Sequence, residues 1–460
     1  MKSGDELNPK NYRPVAILPV WSKILERAVF LQIIDYFEAN RLLHPSHHGF
    51  RANHSTTTAL LEMYDTWVEA MDRGEATGVC FLDMSAAFDM VKPSILLKKL
   101  GLYGFDDTAI RWIERYLSYR KQTVCIDGTC SRLLSLSVGV PQGSIIGPLM
   151  YTIFTNDLPE CVHCHPPTHP QVHHDVQQPY NVDCQKCGRI CCFADDSSYS
   201  FSNASAPHIS ETLSNKYSII SDYMASHELK LNSEKTHLLL IQSDAARRAN
   251  PSFKVELNTG SELIQPSKSE KLLGGIISQN LKFADHIQND EKSMLKVLNT
   301  RLNALKKISL NASFKTRKAV ANGIIMSRIT YLIPLWAGYE YLMNALQIIQ
   351  NKTARVVTKK GKMTSISSLL KECGWMSISQ LGMYHSLILV YKILQCQTPQ
   401  YLYDKLSGTQ EETYYQTRYT RRQATRQLIK LGPDSVAERD LARNGFKYRA
   451  TRQWNDLPRK

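Results

Sequence analysis

Asp83, Asp195 and Asp196 are the residues of this sequence whose type and spacing could do the most demanding chemistry. Asp83 closes a short apolar run, Thr77-Gly78-Val79-Cys80-Phe81-Leu82, which reads as a buried strand delivering an acid at its end. Asp195 and Asp196 stand side by side 112 residues later, between Phe193-Ala194 and Ser197-Ser198-Tyr199. That stretch reads as strand, turn, strand, with both carboxylates at the tip. Adjacent carboxylates repel one another unless a cation neutralises them. Mg²⁺ takes oxygen ligands and keeps water, so two or three aspartates plus substrate phosphates suit it. Two such ions clamp the attacking and leaving oxygens of an in-line phosphoryl transfer. The competing reading, a solvated Asp-Asp turn, is the ordinary fate of such a pair. Phe193, Ala194 and Tyr199, which belong on a core strand, tell against it.

A second cluster is made of cysteine and histidine. Six of the 11 cysteines lie between Cys161 and Cys192, together with five of the 14 histidines. Cys161-x₂-Cys164 and Cys184-x₂-Cys187 have the spacing of a structural zinc site. The alternative is a group of reduced thiols in a loop. His163, His165, His169, His173 and His174 leave the ligand set open, and Cys191 and Cys192 read as core.

The elements that would hold these residues alternate between strand and helix. Asn11–Leu18 reads as a strand, and Ser22 as the cap of a following helix. Helical patterns follow at about 93–100, 107–119 and 143–156. Asp127-Gly128 marks a hairpin between Thr123–Ile126 and Leu133–Leu136. Residues 160–191 lack periodicity and read as an inserted loop or miniature metal domain. A helix near 208–227 and a strand at 236–242 complete the α/β pattern. Beyond it, residues 292–318 carry eight basic side chains and no acid, with Leu295, Leu298, Leu302 and Leu305 on one helical face. Residues 413–430 carry five basic residues, no acid, and Tyr414, Tyr415 and Tyr419. The remainder reads as mainly helical.

Lysine and arginine total 56 against 42 acids, a net charge of +14, so a polyanion is the expected partner and nucleic acid the leading one. The first 30 residues lack a secretory signal, and no apolar run reaches the roughly 18 residues of a membrane span. The chain therefore reads as soluble and intracellular, and a disulfide framework is not expected.

Ordered blocks along residues 5–280 resemble the reverse transcriptases of non-LTR (LINE-like, jockey-type) retrotransposons. Phe193-Ala194-Asp195-Asp196 resembles their motif C. Asp83 through Asp89, ending Ala87-Phe88-Asp89, resembles motif A, and Gly139-Val140-Pro141-Gln142-Gly143-Ser144 with Gly147-Pro148-Leu149 resembles motif B. Asn11-Tyr12-Arg13-Pro14-Val15 and Gly49-Phe50-Arg51-Ala52-Asn53-His54-Ser55-Thr56 resemble two fingers motifs. Leu231–Thr236 is similar to motif D and Lys271–Gly275 to motif E.

The resemblance implies an α/β (α+β palm) fold: a right-hand polymerase with fingers, palm and helical thumb, followed by a mainly helical C-terminal region. Residues 1–75 would be fingers, 76–280 palm interrupted by 160–191, 281–360 thumb, and 361–460 the helical basic region. It implies an RNA-directed DNA polymerase in which Asp83, Asp195 and Asp196 hold two Mg²⁺ ions and Lys235 protonates the pyrophosphate. Arg13 and Arg51 would meet triphosphate or template. Pro141, Gln142 and Gly143 would lie at the nucleotide, and Leu273 and Gly274 would grip the primer. Phe88, five residues after Asp83, would be the aromatic gate that clashes with a ribose 2′-hydroxyl; plain core packing is its other reading. Asp89 would point to the opposite side of a strand. RNA template, DNA primer and dNTPs are the implied partners, with a ribonucleoprotein in cytoplasm and nucleus. The 292–318 helix would face the template–primer backbone. Two departures stand out: such proteins usually carry an endonuclease and more fingers sequence upstream, and the cysteine-rich insert lengthens the approach to motif C. A catalytically idle or domesticated nucleic-acid-binding relic is the alternative function, and the retained Asp83, Asp195, Asp196, Lys235 and Gln142 argue against the idle form.

Overall fold

Strand β1 (Ala76–Leu82) is buried at every residue except Phe81, which is half-buried. Continuous burial is what a central strand covered on both faces requires. β1 stands in the middle of a five-stranded sheet with β2 (Arg189–Phe193), β3 (Asp196–Asn203), β4 (His237–Ile241) and β5 (Pro266–Ser267), in the order β5-β4-β1-β3-β2. The computed structural model describes residues 16–84, 87–126, 128–163, 187–407 and 445–457. These fall into two units. The first draws on 1–51, 78–238 and 254–266, the second on 52–77, 239–253 and 267–460.

In the first unit, the helix Ala206–Ser226 packs on β3. Its buried Ile209, Leu213, Tyr217, Ile220 and Met224 recur at three- and four-residue steps, giving one apolar face. The helix Ile146–Phe154 is buried throughout except at Pro148, and packs against Val20–Ala39 and Pro93–Leu102. Lys99 is folded into this layer. Its ammonium donates to the Phe154 carbonyl and the Asp157 carboxylate, both at 2.6 Å. A buried ammonium needs such partners.

Most expected elements are present, with shifted edges. The first helix begins at Val20 after Pro19, so Ser22 lies inside it and donates to Glu26 instead of capping. Ala16–Leu18 is not strand; residues 11–15 lie outside the described residues. Cys125–Ile126 pairs with Thr129–Cys130 around Gly128, a tighter hairpin than expected, and Leu134–Ser135 pairs with Lys121–Gln122 instead of with Thr123–Ile126. A disulfide, Cys125–Cys130, closes that hairpin.

The second unit is chiefly helical. Glu340–Thr358 packs against Met294–Ser309, Ile366–Cys373 and Ile378–Cys396, so the expected thumb and C-terminal spans share one core. Thr56–Asp72, unassigned from sequence, belongs here and starts with a Ser55–Thr58 capping box. The basic stretch 292–318 is two helices, not one. Ser313 caps a new helix, Phe314–Ala321, by accepting from Thr316 N, and so ends the first at Ser309. Among the described residues no helix is long and apolar enough to cross a membrane.

Candidate active site

Asp83 leaves the end of β1 and is fixed by its own backbone: the Asn232 amide donates to its carbonyl at 2.9 Å, and Met84 bridges Leu231. The segment that follows Leu231 turns through Ser233–Lys235 and brings the Lys235 ammonium to Asp83 Oδ2 at 3.0 Å. Both side chains are open to solvent, 60% for Lys235 and 37% for Asp83, so the pair contributes little to stability. Its importance is positional: a proton-bearing cation stands on the carboxylate that ends β1.

β2 and β3 form an antiparallel hairpin in which Phe193 pairs with Asp196, leaving Ala194-Asp195 as a two-residue tip. Ala194 takes a left-handed φ of +57° to make the turn. Asp195 is half-buried and Asp196 exposed. Because β3 neighbours β1, the strand that begins at Asp196 runs beside the one that ends before Asp83. Tyr151 packs beside the end of β1. Its hydroxyl donates to the Met84 sulfur at 2.9 Å. Burial, then the charges of Cys192 and Asp195, push that hydroxyl well above its ordinary range. Among the described residues no three acids, histidines or cysteines converge into a finished cation cage. The carboxylates of Asp83, Asp195 and Asp196 offer oxygen donors of the kind that could hold Mg²⁺, completed by substrate phosphates and water.

Phe88 lies in a 3₁₀ turn, Ala87–Met90. The turn is pinned to the segment before Pro141: Val140 N donates to Phe88 O and Gly139 N to Val91 O, each at 2.8 Å. A side chain at Gly139, φ +87°, would meet the Asp89 carbonyl at 2.8 Å, so only glycine lets the two segments close. Since this stretch is a turn, strand alternation does not govern Asp89. The Gln142 amide nitrogen donates to both Asp89 oxygens, at 2.8 and 2.9 Å. The Gln142 carbonyl accepts from Ala16 N at 2.8 Å, the Pro141 carbonyl accepts from Ser144, and Gly143 sits at φ +106°.

A third segment, residues 46–51, lies along β2. His48 N donates to Cys192 O and Cys192 N to Ser46 O, both at 2.9 Å. Gly49 passes so close to the hairpin tip that a Cβ would stand 2.7 Å from Ala194 N. Phe50 follows at φ +61° and sets its ring edge-on to Phe88, centroids 6.5 Å apart. Tyr151 packs on Phe88 at 4.7 Å. The Arg51 guanidinium grips Glu38 with two 3.0 Å bonds and also reaches the His44 and His47 carbonyls.

The structure thus gathers Asp83, Asp195, Asp196, Lys235, Phe88, Pro141, Gln142 and Gly143 within the first unit. Arg13 lies outside the described residues. Leu273 and Gly274 belong to the second unit, as the two-residue tip of the Ser269–Leu272/Gly275–Ser278 hairpin, with φ of +46° and +81°. Thr56 and the Leu273 carbonyl both accept from the Tyr331 hydroxyl there. Of the four zinc candidates, Cys164 and Cys184 lie outside the described residues; Cys187 is buried and Cys161 half-buried. On the basic helix, Lys296 and Lys306 are exposed, but Arg301 donates to the Ile324 carbonyl at 2.7 Å. Sequence reasoning did not single out Tyr151 or the Gln142–Asp89 tie. The tie spans 53 positions and leaves no local signal.

A family model described as reverse transcriptase (RNA-dependent DNA polymerase) matches residues 2–283. The RNA-directed DNA polymerase from mobile element jockey of Drosophila funebris is 27% identical over 364 residues, covering 78% of this chain and 37% of that protein. A probable RNA-directed DNA polymerase from transposon BS of Drosophila melanogaster is 27% identical over 358 residues, with 77% and 37% covered. The chain spans just over a third of the length of these relatives. Among solved structures, a telomerase from Candida tropicalis aligns with a TM-score of 0.40 at 12% identity, covering 84% of this chain and 56% of that one.

Proposed function

Because this chain belongs to the reverse transcriptase (RNA-dependent DNA polymerase) family, we propose that it copies an RNA template into DNA for a non-LTR retrotransposon of the jockey type. The observation that carries the reading is the Lys235–Asp83 pair at the end of β1, the strand next to the one that opens at Asp196. Asp83, Asp195 and Asp196 would hold two Mg²⁺ ions. When bound, these ions supply the charge that stabilises the attacking 3′-oxygen and the leaving pyrophosphate.

The chain's own groups do the rest. Lys235 holds a proton at Nζ for the pyrophosphate. Phe88 closes the space a 2′-hydroxyl would need. Pro141, Gln142 and Gly143 shape the nucleotide floor, and Gln142 is held in place by Asp89. Arg13 binds the triphosphate. Leu273-Gly274 positions the primer, and the exposed lysines of Met294–Ser309 grip the duplex backbone independently of sequence. Zinc on Cys161, Cys164, Cys184 and Cys187 would be structural. An element ribonucleoprotein in cytoplasm and nucleus is the setting that fits. Primer extension on poly(rA)–oligo(dT) with dTTP and Mg²⁺ tests the reading: extension supports it, and its absence in well-folded protein that still binds the hybrid favours an idle relic.

A further inference from the structure

Phe50 combines three features that seldom coincide. It is a large aromatic left 45% exposed, its backbone is left-handed at φ +61°, and it adjoins a residue jammed under the tip that carries Asp195. A bulky side chain in that conformation is rare and persists only where its surroundings over-determine it. Here the cause is visible. Ser46 to His48 is hydrogen-bonded along β2, and Gly49 lies against Ala194. The chain must then turn sharply, and the turn throws the Phe50 ring off the backbone line onto the edge of Phe88, at 6.5 Å and 86°. Edge-to-face contact at that separation is attractive and sets the mutual orientation of the rings.

Phe88 therefore meets two aromatic rings. Tyr151 packs on it at 4.7 Å and is itself fixed through its bond to the Met84 sulfur. Phe50 is the second ring in contact and the more exposed of the two. Tyr151 is a core residue, so its side of Phe88 is rigid. The freedom of Phe88 to swing thus depends on Phe50.

We propose that Phe50 is a positioning residue for sugar selection: by bracing Phe88 it keeps the space beside Asp83 too narrow for a ribonucleotide and open to a 2′-deoxynucleotide. The proposal rests on the reading of Phe88 as the gate. A side chain that braced only the fold would affect both sugars alike; one that braces the gate changes their ratio.

The test is the ratio of kcat/KM for dTTP to that for UTP on poly(rA)–oligo(dT), in wild type, Phe50→Leu, Phe50→Tyr, Phe88→Ala and the Phe50→Leu/Phe88→Ala double variant. Phe50→Leu should lower the ratio about 10-fold, within the range that loss of one apolar contact commonly produces. Phe50→Tyr, which keeps the ring, should retain the wild-type ratio. The double variant should discriminate no worse than Phe88→Ala alone, because Phe50 acts through Phe88. If Phe50→Leu melts below the assay temperature, Phe50→Met replaces it with the same expectation. A wild-type ratio in Phe50→Leu beside a lowered one in Phe88→Ala overturns the bracing role and spares the gate. An unchanged ratio in Phe88→Ala overturns both. Additive losses in the double variant overturn action through Phe88.

Discussion

The side-chain amide of Gln142 donates to both carboxylate oxygens of Asp89. It ties the turn after Phe88 to the turn before the helix Ile146–Phe154, and it occupies the acid nearest Phe88.

Asp89→Ala should therefore loosen the nucleotide floor much as Gln142→Ala does. Each should raise the KM for dNTP, and the two should be non-additive, with a coupling on the order of 1 kcal/mol in a double-mutant cycle. Strictly additive effects would mean that the tie does not position Gln142.

The basic helix gives a salt prediction. Lys296 and Lys306 are exposed, whereas Arg301 is bound to the Ile324 carbonyl. Replacing both lysines with glutamine should flatten the log–log salt dependence of template–primer binding by roughly 0.9 per residue for a B-form duplex. Arg301→Gln should lower the melting temperature and leave the slope alone. A slope unaffected by the double lysine change would remove this helix from the backbone interface.

Glu160 gives a pH prediction. Burial, and then the charge of Asp157, raise its carboxyl from 4.5 to about 7. The folded chain thus keeps a proton that the unfolded chain releases. That stabilisation is complete below about pH 4.5 and is lost as pH rises through about 7. Glu160→Gln should gain in melting temperature relative to wild type at pH 8 more than at pH 5. An equal difference at both pH values would show that Glu160 is not held protonated.

How much of this could be read from the sequence depends on the range of the interaction. β1, the β2–β3 hairpin and the helix Ala206–Ser226 follow from runs of apolar residues and their period, and each is found within a few residues of its expected place. The Asp83, Asp195 and Lys235 placements follow from motif order. Ser313 as a cap is a local signal that the long basic run concealed. Long-range partners were not legible: Glu38 claims Arg51, Ile324 claims Arg301, and Asp89 claims Gln142. No local pattern announces those pairs, and in each case the partner decides whether a polar side chain faces a ligand or the fold.

The cysteine pairs lead to a composition test. Protein prepared with zinc should hold one equivalent, and Cys184→Ser should lose it together with stability rather than with chemistry. Well under one equivalent in wild type would refute the site, and full retention in Cys184→Ser would shift the ligands to the nearby histidines.

The most direct test of the whole account is primer extension by Asp195→Asn. Removing one anionic ligand from a metal-assisted site costs several kcal/mol, on the order of a 1000-fold loss of rate. That loss is expected with template–primer affinity largely retained. Extension at the wild-type rate in Asp195→Asn would contradict it.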